Sequence, residues 1–137
     1  MKKILVCGLI TGLILFVVSY GGLYLAVRFF PMFFVESYAN NPLINSDGIK
    51  GYLFFTHAFV ISFALSWFWD RFKNLLKGNY LMRGIEFGLI YAAVCLLPIM
   101  WITYSALDVT VVMVLGWLLY GSFQAIVAGI VFARINP

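Results

Sequence analysis

Chemistry in this chain would have to be assembled from isolated residues: one histidine, His57, and the polar side chains of Glu86, Tyr104 and Gln124. Each stands within or at the edge of a long apolar stretch. Polar groups at membrane depth are functional hypotheses by default. His57 could relay protons, or ligate haem or copper if a second subunit supplied the other ligand. The bland alternative is an imidazole bonded to a hydroxyl of similar depth, Tyr104 or Thr103. Gln124 sits beside a small-residue stripe, where a bond between helices is its ordinary work. Glu86 with Gln124 could carry a proton or cation, but an acid also suits a helix start. Cys7 and Cys95 are expected about 10 Å apart in depth, too far for a disulfide or a shared metal. No CxxC, HExxH, GxSxG, phosphate-binding loop or dinucleotide fingerprint is present, and no nucleophile stands beside a base in sequence. No catalytic residue, metal or cofactor is expected.

Composition explains why such residues are sparse. The chain has 137 residues, 64% apolar and 10% charged, with a mean hydropathy of +1.03. Soluble domains carry about a quarter charged residues. A soluble enzyme, a nucleic-acid binder and a disordered chain are all poor fits. Residues 4–27, 51–69, 87–107 and 109–133 contain no Asp, Glu, Lys or Arg. A bilayer core of about 30 Å needs about 20 residues of helix. These stretches lack the alternation of a membrane β-strand, and without water to satisfy the backbone they must be helical. The expected fold is a single all-α domain over 1–137, a four-transmembrane-helix bundle with helices near 4–28, 51–70, 84–107 and 109–134. The first stretch is longer than the ~7–15 residues of a signal core, and Ser19-Tyr20-Gly21-Gly22 makes a poor cleavage site. A retained first helix is expected.

The basic residues set the orientation. If the helices alternate, Lys2, Lys3, Arg71, Lys73, Lys77, Arg83 and Arg134 share one side, and Arg28 and Lys50 the other. The positive-inside rule places the first group, and both termini, in the cytoplasm. Between the first two helices, Pro31 and the aromatics after it suit a short interfacial helix to about Tyr38, on the outer side. Segment 70–86 interleaves basic and apolar residues, as a strip lying on an anionic leaflet would. Ser105 or Asp108 is the expected cap of the last helix. Pro98 deletes the bond to the Val94 carbonyl and should kink the third.

Lipid tails are as apolar as Leu, so these helices must associate by close backbone approach. Gly8 and Gly12 on the first helix, Gly84 and Gly88 on the third, and Gly121, Ala125 and Gly129 on the fourth supply small faces at four-residue spacing. Residues 8–14 and 84–90 echo one another weakly, each a Gly-rich start to a helix.

Met1-Lys2-Lys3 ahead of Gly8 and Gly12, Phe33-Phe34 in the outer loop, Arg83-Gly84 with Gly88, and the run from Gly121 to Gly129 together resemble a family of small bacterial inner-membrane proteins of unknown function. That resemblance implies a compact four-helix inner-membrane protein and brings no site residue with it. The expected partners are the lipid bilayer and other membrane subunits or a second copy, not nucleic acid. The leading expectation is a non-catalytic membrane subunit. A transporter or channel protomer using His57, Glu86 and Gln124 is the alternative, and a haem- or quinone-associated subunit using His57 a weaker one.

Asn45→Cys and Asn79→Cys should label oppositely with a membrane-impermeant thiol reagent. Labelling of Asn79→Cys alone from outside the cell would reverse the orientation.

Overall fold

The computed structural model describes residues 2–31 and 48–137. Helix α1 spans Lys2–Phe29, α2 Gly48–Phe72, α3 Tyr80–Tyr91, α4 Leu97–Ala106 and α5 Val111–Ile135, with a π-helical turn at Ala92–Leu96 joining α3 to α4. Among the described residues, three helical stretches are long and apolar enough to cross a membrane: α1, the continuous Tyr80–Ala106 run, and α5. The fourth expected crossing, on α2, is not among them, although α2 is 25 residues long. The interfacial helix expected beyond Pro31 lies outside the described residues.

The helices pair along their lengths, α1 with α2 and α3 with α5. In the first pair, Ser62 Oγ on α2 donates to the Gly8 carbonyl of α1 at 2.8 Å, and Ser66 Oγ to that of Ile4 at 3.0 Å. Such approach needs small residues on α1. Gly8 lies under the Phe63 ring, and a Cβ on Gly12 would stand 2.6 Å from the Phe59 ring and 2.8 Å from Ser62 Oγ.

The second pair is closer still. A Cβ on Gly84 would meet the Ile130 backbone nitrogen at 2.5 Å, and one on Gly88 the Ile126 Cα at 2.6 Å. From the other side, a Cβ on Gly129 would fall on the Gly84 carbonyl. Gly121 faces the Leu96 side chain in the π turn, and Ala125, Ala128 and Ala133 are buried with it. The small face of α5 is therefore covered from within the chain.

A widened, π-helical turn directly precedes Pro98. The Leu97 N–H reaches back five residues to the Ala92 carbonyl, where an α-helix would reach back four. Thr110, not Ser105 or Asp108, caps α5, its side chain accepting from the Met113 N–H at 3.3 Å. Ser105 instead donates to the Ile102 carbonyl of its own helix. The strip expected across 70–86 is taken up by the ends of α2 and α3. Between them is a short turn in which Gly78 has φ +105°, a region open to glycine.

Gly129→Leu should overfill the α3–α5 contact and lower the unfolding free energy in mild detergent by about 1–3 kcal/mol. Leu119→Val, on an exposed side chain, and Gly116→Ala, where a Cβ meets nothing within 4 Å, should leave it nearly unchanged. Equal losses in all three would contradict the packing account.

Candidate functional site

Buried residues recur every four positions on α1: Cys7, Thr11, Leu15 and Ser19. This face meets α5, and Ser19 brings a hydroxyl to the level of Gln124. Gln124 is 2% exposed. Its Nε2 lies 2.9 Å from Ser19 Oγ, 3.2 Å from Tyr120 Oη and 3.3 Å from His57 Nε2. An amide nitrogen has two hydrogens, so three acceptors on α1, α2 and α5 share them. For His57 to accept, its proton must sit on Nδ1. This polar centre stands near mid-helix. His57 lies nine residues, about 14 Å, from the start of α2, which begins at Gly48 rather than near residue 51.

The other expected contributors lie elsewhere. Tyr104 is 52% exposed on α4, and Thr103 Oγ1 donates to the Ile99 carbonyl at 2.7 Å. Both belong to a helix that packs on α5. Glu86 is exposed. At about 100° per residue it points some 200° away from Gly84 and from Gly88, the residues in contact with α5. Glu86 and Gln124 therefore do not meet. Cys7 and Cys95 are free thiols. Among the described residues no three His, Cys, Asp or Glu side chains converge.

A second polar assembly closes the end of the bundle that carries Lys2 and Asn136. Trp69 Nε1 donates to the Asn136 carbonyl at 2.9 Å, and Lys73 Nζ to Asn136 Oδ1 at 2.7 Å. Asn136 Nδ2 donates in turn to Asp70 Oδ1 at 3.2 Å, and Lys73 Nζ stands 3.7 Å from the same oxygen. Arg83 donates through Nη2 to the Lys73 carbonyl at 3.0 Å, its guanidinium 5.3 Å above the Trp69 ring. Arg83 Nε is buried without a hydrogen bond. Stacking on the indole offsets part of that cost. Beneath lie Phe87, edge-on to Trp69 at 5.2 Å, and Phe132, edge-on to Phe87 at 6.3 Å.

In the sequence Lys73 and Arg83 read as orientation charges, and Trp69, Asp70 and Asn136 do not stand out. The available signal was an indole and an acid side by side at a helix end, in a chain with 5 acidic residues. No protein-family model matches the chain, and neither a curated protein nor a solved structure does so significantly.

Gln124→Leu should destabilise the bundle by about 1–2 kcal/mol, since it leaves Ser19 and His57 without their shared donor. His57→Gln, which keeps a polar partner, should cost about 1 kcal/mol or less. Reversible unfolding in detergent reads both, and an unaltered Gln124→Leu variant would remove the centre from any structural role.

Proposed function

We propose that the chain is a non-catalytic integral subunit of the bacterial inner membrane, built into a larger membrane complex, with four crossing helices and both termini in the cytoplasm. One observation carries this reading: a group of polar side chains inside the bundle, drawn from three helices, is turned on itself. Gln124 binds Ser19, Tyr120 and His57, which suits a brace between helices better than a place where something passes or reacts.

The fourth crossing is supported by the partnership of α2. Two side-chain hydrogen bonds one turn apart tie it antiparallel to α1. A helix so tied runs at the depth of its neighbour. The orientation rests on the basic residues: Lys2, Lys3, Arg71, Lys73, Lys77, Arg83 and Arg134 lie toward the end that carries the termini. The transporter reading draws less support, because Glu86 lies apart from His57 and Gln124. The haem reading draws less as well, because the Gln124 amide stands at His57 Nε2.

Native mass spectrometry of the chain, extracted in mild detergent from the membrane where it is made, tests the proposal. The expected species is a complex with other membrane subunits in fixed stoichiometry. A lone protomer that retains its fold would overturn it, as would a bound chromophore seen by visible absorbance.

A further inference from the structure

Helix α3 is closed on one side and open on the other. Gly84, Phe87 and Gly88 are buried. The opposite side presents Met82, Ile85, Glu86, Leu89 and Ile90, all exposed, and Ala93 of the π turn continues the row. Their spacing, repeating at three and four residues, is that of a seam between helices. Met82 is 62% exposed and Leu89 55%, so among the described residues the seam has no counterpart.

Glu86 is the anomaly on it. The helix starts at Tyr80 with Asn79 as its cap, so Glu86 lies in the second turn, where the favourable field of a helix N-terminus has faded. Arg83, one turn earlier, turns away to the Lys73 carbonyl and Trp69. Among the described residues no ion pair includes Glu86. A carboxylate on an apolar membrane-facing surface is costly unless it is paired.

Resting on the proposed role as a membrane subunit, we infer that this face of α3 is the docking surface for a partner's transmembrane helix that carries Lys or Arg at its cytoplasmic end, with Glu86 as the counter-ion. Transmembrane helices gather Lys and Arg at that end, so a neighbour running alongside brings a cation to this level. A second copy is a poor occupant. A two-fold axis along the membrane normal would set Glu86 against Glu86, and like charges there repel.

The test uses the full chain in phosphatidylcholine vesicles with a synthetic Leu/Ala transmembrane helix bearing one Lys near one end, and the same helix with Leu in place of that Lys. Energy transfer between donor-labelled chain and acceptor-labelled helix reads association. The Lys helix should associate about tenfold more tightly, and Glu86→Gln, a change at an exposed site, should abolish the preference. Equal association of the two helices with the native chain would overturn the inference. So would a preference that survives Glu86→Gln, or loss of the preference when phosphatidylethanolamine is added, which would assign Glu86 to a headgroup ammonium. Efficient disulfide dimerisation of Ile90→Cys would overturn it in favour of a second copy. A lone protomer in native mass spectrometry would remove the subunit reading without affecting the preference for Lys; loss of that preference with the complex intact would remove this inference alone.

Discussion

At Gly129 and Gly84 the backbones of α5 and α3 come so close that a methyl group on the first would overlap the carbonyl of the second. In water such contact would be one of many, because burial of any apolar surface drives helices together. Among lipid tails that drive is missing, and dispersion collected at short range has to replace it. Glycine permits the range. The remaining structure follows from this seam. With Gly84 and Gly88 held on α5, Phe87 is directed at Trp69 and Phe132, and Arg83 is carried over the Trp69 ring. By the same rotation, Glu86 is turned outward.

The first pair of helices is built differently. Its glycines sit under phenyl rings rather than against a backbone, and serine hydroxyls reach across to carbonyls of the facing helix. Each such bond offers the hydroxyl a partner where no water competes. The two pairs are then joined at two levels, by the amide of Gln124 near mid-helix and by the Trp69–Asn136–Lys73 group at the terminal end. Thr11, fully buried between these levels with an unbonded hydroxyl, has only packing to contribute.

Much of this was legible in the residues. Uncharged stretches announced the helices because length and apolarity are properties of a segment alone, and three of the segments are long and apolar enough to cross. The small faces were legible too, since spacing by four reports a shared side whatever lies against it. His57 and Gln124 stood out as polar residues in apolar surroundings. That they meet was not legible: which helix lies beside which depends on contacts between segments far apart in the chain. Tyr104 and Thr103, at a depth that seemed similar to that of His57, belong to a helix that packs on α5.

By itself, then, the sequence determined where helices can exist, which side of each is small, and which residues are too polar to be left without a partner. These are local quantities, set by composition and by the helical repeat. The tertiary structure decided the partners: Gln124 for His57, Asn136 for Trp69 and Lys73, and none within the described chain for Glu86. It also moved the cap of α5 to Thr110 and set a widened turn before Pro98, because both depend on the path of the backbone. Pairing is a property of two segments at once, and a four-residue period names the side of a helix but not its neighbour.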